Sequence, residues 1–115
     1  MNTHETGSRY ERYAKEYLEQ QGYRVILSNY RCPVGEIDLI AEDGEYLCFV
    51  EVKYRADIHC GYPQEAVGAA KQRRIRKTAA WYLAAEHPVQ AKYRFDVVGI
   101  CPAKTWLIQN AFGGL

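Results

Sequence analysis

Apolar and polar positions alternate most sharply in two short runs near the middle of the chain. In Gly35-Glu36-Ile37-Asp38-Leu39-Ile40-Ala41, a period of two places Glu36 and Asp38 on one face and Ile37, Leu39 and Ala41 on the other. Leu47-Cys48-Phe49-Val50-Glu51-Val52-Lys53 repeats the pattern, with Glu51 and Lys53 opposed to Cys48, Val50 and Val52. Between them lies Glu42-Asp43-Gly44-Glu45, whose Asp-Gly pair favours a tight reversal, so the two runs are expected to form a hairpin. That hairpin would bring the charges together.

The period changes elsewhere. From about Ser8 to Gln21, Tyr10, Tyr13, Ala14, Tyr17 and Leu18 fall at helical spacing, and Gly22 supplies a stop. A strand is expected over Tyr23–Leu27, then a turn or loop from Asn29 to Pro33 ahead of the hairpin. Residues Ala56 to Tyr62 read as irregular. A second helix is expected from Pro63 or Gln64 to Glu86, with Pro88 just beyond it and a stripe of Val67, Ala70, Ile75, Ala79, Tyr82 and Leu83. Two more strands, Tyr93–Ile100 and Thr105–Gln109, flank a turn at Pro102-Ala103. The expected order is α-β-β-β-α-β-β, an α/β fold with a mixed central sheet and two flanking helices.

At 115 residues the chain is expected to form one domain, with no room for a separate recognition module. Its 48% hydrophobic and 25% charged content suits a globular core, and no apolar run is long enough to span a bilayer. The first residues carry no basic segment followed by an apolar one, so a cytoplasmic location is expected. Fifteen basic against fourteen acidic residues give a net charge of +1, which sets up no global field for a polyanion. Cys32, Cys48, Cys60 and Cys101 show no Cys-x-x-Cys pair, so structural zinc is not expected, and free thiols are expected over disulfides.

Charge placement carries the chemistry. Hydrolysing a phosphodiester requires a nucleophilic water, neutralisation of developing charge and help for the departing oxygen, much of which divalent metal ions supply. Asp38 and Glu51 offer one carboxylate each for Mg²⁺ or Mn²⁺, and the Val52 carbonyl could add a backbone ligand. Lys53 emerges from the same face as Glu51, suited to hold the attacking water or stabilise the charge that develops. The bland alternative is a salt-bridged sheet face. Glu36 could serve as a site ligand or pair with Arg31 or Arg55, and Asp96 reads as a structural ion-pair partner.

Asp38 followed thirteen positions later by Glu51-Val52-Lys53 resembles the acidic motif of restriction-endonuclease-like, or PD-(D/E)xK, nucleases. The wider pattern resembles the YraN family of small bacterial proteins assigned to that fold. It comprises Gly7, Glu11, Ala14 and Leu18, then Asn29 and Arg31, the runs from Gly35 to Ala41 and from Phe49 to Arg55, Lys71, and Arg94-Phe95-Asp96-Val97-Val98. One departure is Ile37, where the general nuclease motif has proline before its aspartate.

The resemblance implies a metal-dependent nuclease acting on structured or branched nucleic acid, DNA more than RNA, or else a non-catalytic nucleic-acid-binding or adaptor protein that keeps the fold. A homodimer would suit a branched substrate. Glu11 lies close to the inward stripe of its helix and has two readings: a further metal or water ligand, or the partner of Ser8 in a capping box. Lys71, Arg73, Arg74, Arg76 and Lys77 crowd into seven residues of the second helix. Lys71 and Arg74 are expected to engage phosphate, with Arg73, Arg76, Lys77 and Arg55 nearby to follow a nucleic-acid backbone. A merely solvated helix face is the alternative. Tyr54, Tyr62, Trp81 and Trp106 could stack on bases, and His59 could act as a late acid.

Overall fold

The computed structural model describes residues 3–55, 67–90 and 92–113. In chain order it contains α1 (Thr3–Gln20), β1 (Arg24–Cys32), β2 (Gly35–Asp43), β3 (Tyr46–Tyr54), α2 (Ala69–Glu86), β4 (Lys92–Ile100) and β5 (Thr105–Phe112). This is the expected α-β-β-β-α-β-β order. The five strands lie side by side in sequence order. β1, β2 and β3 form an antiparallel meander, β3 and β4 run parallel with α2 in the crossover between them, and β5 returns antiparallel to β4.

Each helix covers one face of the sheet. Ala14 and Leu18 of α1 pack on Leu39, Ala41, Cys48, Val50, Val98 and Ile100. Ile75, Ala79 and Tyr82 of α2 pack on Ile40, Leu47, Phe49, Phe95 and Val97. The central strands therefore bury both sides, which is why β3 reads as a nearly unbroken apolar run until Glu51. Neither described helix is long and apolar enough to cross a membrane.

Several boundaries differ from the sequence-based expectation. Helix α1 begins at Thr3, so position 8 lies within the helix and not at the N-terminal end that the capping-box reading requires. β1 runs on through Asn29–Cys32, where a loop is expected, because an edge strand needs few apolar positions to hold its place. Asn29 sits in that strand with φ 55. Gly68 is the N-cap of α2 and Val67 precedes the helix, so α2 starts later than Pro63 or Gln64. Ala70, expected on the stripe, is exposed, and Thr78 takes a buried place instead. β5 extends past Gln109 to Phe112 through a bulge opposite the Phe95–Val97 segment. Ala56–Tyr62 and His59 lie outside the described residues.

The expected facing of β2 also changes partway along the strand. Ile37 joins Ile40 in the cluster under α2, whereas Leu39 and Ala41 join the cluster under α1. The regular alternation therefore breaks at Asp38. Just before it, Gly35 adopts φ 154, and a Cβ there would meet Thr78 Oγ1 at 2.6 Å. Thr78 is itself fixed by donating to the Arg74 carbonyl at 2.8 Å. A glycine at this turn lets α2 close down on the start of β2, which brings the basic half of that helix against the hairpin.

Cys32 and Cys48 are free, while Cys101 is disulfide-bonded, against the expectation of free thiols throughout. The expectation was drawn from compartment and spacing, which say nothing about which sulfurs meet in space. Burial, then the Asp96 charge, pushes the Cys48 thiol up to about 12.

Candidate active site

The β2–β3 ladder runs from the Asp43–Tyr46 pair to the Leu39–Val50 pair. One step further, the side chain of Asp38 takes over from the main chain: its Oδ2 accepts the Val52 N–H at 2.8 Å. The strands thus part at a carboxylate. Continuing the register places Asp38 opposite Glu51, and the two carboxyl groups share a hydrogen bond. Glu51 is buried, and its Oε1 meets Lys71 Nζ at 2.8 Å. Lys53 leaves β3 two residues after Glu51, on the same face, and is half-buried.

Two acids held this close in a dehydrated corner resist double ionisation. Desolvation, reinforced by the Asp38 charge, pushes Glu51 up to about 7, with Lys71 opposing. Asp38 is also raised by burial, against the Val52 N–H and the Glu51 hydrogen bond. Burial works to lower Lys71, but its hydrogen bond to Glu51 and the two carboxylate charges outweigh that and leave it raised. The pair therefore retains a proton at a pH where two isolated carboxylates would hold none.

This arrangement has a consequence for stability. A carboxyl with a raised folded-state pKa favours the fold fully below its ordinary value, and that contribution is lost as pH rises through the folded value. For Glu51 the window runs from 4.5 to about 7. Lys71 titrates well above it and does not alter the slope. Metal-free protein is expected to lose several degrees of melting temperature between pH 5 and pH 8. Glu51→Gln should flatten that slope; an unchanged slope in differential scanning calorimetry would refute the assignment.

Glu11 is engaged elsewhere. Its Oε2 accepts from Asn29 Nδ2 at 2.7 Å, tying α1 to the left-handed residue of β1. Among the described residues no group of three His, Cys, Asp or Glu side chains is assembled for a metal. The donors brought together are the Asp38 and Glu51 carboxylates, at the Val52 main chain. Such a set fits magnesium, which is commonly held by one or two carboxylates with water and substrate phosphate completing the shell.

A cleft of about 540 Å³ opens beside the pair, between the β1–β2 turn and α2. Arg31, Glu36, Lys71 and Arg74 line it. Glu36 pairs with Arg31 at 3.3 Å, resolving the choice between Arg31 and Arg55. Arg73, Arg74 and Lys77 are exposed, and Arg55 is exposed just after β3. Arg76 departs from the expected outward face. It donates to the Gly113 carbonyl at 3.1 Å and lies over the Phe112 ring.

Of the candidate stacking residues, Tyr54 is stacked on Tyr10 with centroids 3.9 Å apart and Trp81 is exposed. Lys104 covers Trp106, and Tyr62 lies outside the described residues. Sequence reading passed over the part played by the β1–β2 turn in this cleft. The available signal was Pro33 followed by Gly35, a turn pair that sets Arg31 opposite Glu36.

A mixed sheet with this strand order, a helix on either face and an acidic pair where β2 and β3 part defines an α/β protein of the restriction-endonuclease-like class. The chain belongs to UPF0102, an uncharacterised protein family also called YraN, whose profile matches residues 10–100. It is similar to the UPF0102 protein of Lachnoclostridium phytofermentans, 46% identical over 97% of this chain and 96% of that protein. The UPF0102 protein of Symbiobacterium thermophilum is 50% identical over 89% and 91%. That of Syntrophotalea carbinolica is 51% identical over 76% and 71%.

Proposed function

We propose that this protein is a metal-dependent nuclease that hydrolyses phosphodiesters in structured or branched nucleic acid, DNA in preference to RNA. The observation that supports this most is the Asp38–Glu51 pair, Glu51 buried and Asp38 half-buried, set where β2 and β3 part, near a cleft bordered by Arg31, Lys71 and Arg74. Asp38, Glu51 and the Val52 carbonyl would hold Mg²⁺ or Mn²⁺. The metal, when bound, polarises the phosphoryl group and lowers the pKa of water.

Lys53 holds the attacking water or neutralises charge as it attacks. Glu11, held by Asn29 in this structure, would have to exchange that partner to serve as a further metal or water ligand from α1. Lys71 and Arg74 bind phosphate, and Arg73, Lys77 and Arg55 extend the basic track. On this reading the cleft discriminates by the shape of the nucleic acid, such as a branch, flap or end. A symmetric dimer would present two such sites to a branch point.

One observation favours the second reading, a non-catalytic nucleic-acid-binding or adaptor protein. Asp38 and Glu51 already have partners in Val52 and Lys71, as a structural network would. Two measurements separate the readings. Mg²⁺ or Mn²⁺ should raise the melting temperature at pH 8, and Asp38→Ala and Glu51→Ala should abolish the rise. Cleavage of a panel of flapped, branched, single-stranded and duplex substrates should require the metal and the same two residues. Binding without cleavage under every metal tested would establish the adaptor.

A further inference from the structure

Lys71 belongs to two environments at once. Its ammonium rests on Glu51 Oε1 at 2.8 Å, and the same residue lines the cleft that Arg31 and Arg74 also border. Some 42% of its side chain is exposed, whereas Glu51 is almost enclosed at 7%. A flexible four-carbon side chain that is partly exposed can swing away; a buried carboxylate cannot follow it. Where Lys71 now sits, one positive charge already answers the acidic pair.

We propose that Lys71 is an exchangeable counter-ion that makes metal and nucleic acid bind cooperatively. In the free protein it neutralises Asp38 and Glu51 and competes with a divalent cation for them. A nucleic-acid phosphate entering the cleft offers the ammonium a second anion. Among the described residues that line the cleft the one carboxylate is Glu36, already shared with Arg31, against the cations Arg31, Lys71 and Arg74, so these residues present a net positive surface to an entering phosphate. Lys71 turns toward it, and the pair is left open to the cation. Linkage makes the effect reciprocal: metal strengthens nucleic-acid binding by the same factor. The inference rests on the nuclease reading and adds to it an order of events, in which the cation is held tightly only when substrate is present.

The test uses the full chain at pH 8, with Mn²⁺ binding followed by electron paramagnetic resonance. Affinity for a fluorescent phosphorothioate flap duplex is measured by anisotropy with and without Mn²⁺. In the wild type, Mn²⁺ should tighten duplex binding. Lys71→Met should bind Mn²⁺ alone more tightly than wild type, by roughly fivefold given the worth of a half-exposed ion pair, and its duplex affinity should no longer respond to Mn²⁺. Lys71→Gln, which keeps a polar head, should behave the same way and guards against a packing artefact of methionine. If wild type binds Mn²⁺ and neither variant binds it more tightly, the exchange is refuted while the nuclease reading stands. If no form binds Mn²⁺ differently from Asp38→Ala, both fall together.

Discussion

Asp96→Ala is expected to destabilise the protein by about 3 to 5 kcal/mol, the scale seen when one partner of a buried ion pair is removed. Asp96 has no exposed surface and accepts hydrogen bonds from several sides. Tyr23 donates its hydroxyl at 2.6 Å, Arg94 donates Nε and a terminal nitrogen at 2.9 Å each, and the Asn110 N–H reaches it at 2.9 Å. Arg94 also meets Asp43 at 2.7 Å. The knot joins residues beside or within β1, β2, β4 and β5, so it fastens the far edges of the sheet to its centre.

Its electrostatics are mutually reinforcing. Hydrogen bonds to Asp96 hold Arg94 far above its ordinary value, and burial followed by the Asp96 bond raises the Tyr23 phenol. Truncation would leave a mostly buried guanidinium with Asp43 as its remaining carboxylate beside the Tyr23 hydroxyl, and an orphaned N–H at the β5 bulge, where Asn110 has φ 53. Asp96→Asn retains an acceptor for Asn110 but not the charge, and should fall between. Urea denaturation measures both; a loss under about 1 kcal/mol for Asp96→Ala would show that the surrounding groups re-pair among themselves or with water.

That knot also shows where sequence reading stopped. Asp96 was legible as a structural ion-pair partner because a lone acid sits in the apolar run Phe95–Val98. The rest of the knot was not, since Tyr23 lies 73 positions from Asp96, and Asp43, the second acid on Arg94, lies 51 positions from that arginine, with no local period to link them. The acidic pair was easier. A tight turn at Gly44 fixes the β2–β3 register, and the register alone sets Asp38 against Glu51.

What spacing could not reveal was the break in alternation at Asp38. Alternation assumes that the ladder continues, whereas here a side chain replaces a main-chain acceptor. β1 was cut short for a related reason. An edge strand holds polar residues such as Asn29 and Arg31 without penalty, so its last turn looks like a loop. Lys71, expected to engage phosphate, rests on Glu51 in this structure; the closeness of α2 to the turn depends on Gly35, whose role appears only in three dimensions.

Lys53→Met is expected to separate chemistry from metal binding. On the proposed reading, cleavage of the preferred flap or branched substrate should fall by about 10² to 10⁴-fold, the usual worth of a positioned proton-transfer or charge-stabilising group. The Mn²⁺-induced rise in melting temperature should persist, because Lys53 is not among the proposed ligands. Lys53→Arg distinguishes the two roles open to the ammonium. Arginine keeps a positive charge but cannot give up its proton at working pH, so it should restore part of the rate if Lys53 stabilises charge and none if Lys53 transfers a proton. Wild-type cleavage by Lys53→Met would remove Lys53 from the reaction. Unimpaired nucleic-acid binding by Lys53→Met, in a protein that cuts nothing with any metal, would instead assign the site to recognition, with Asp38 and Glu51 serving as the anchor for Val52 and Lys71.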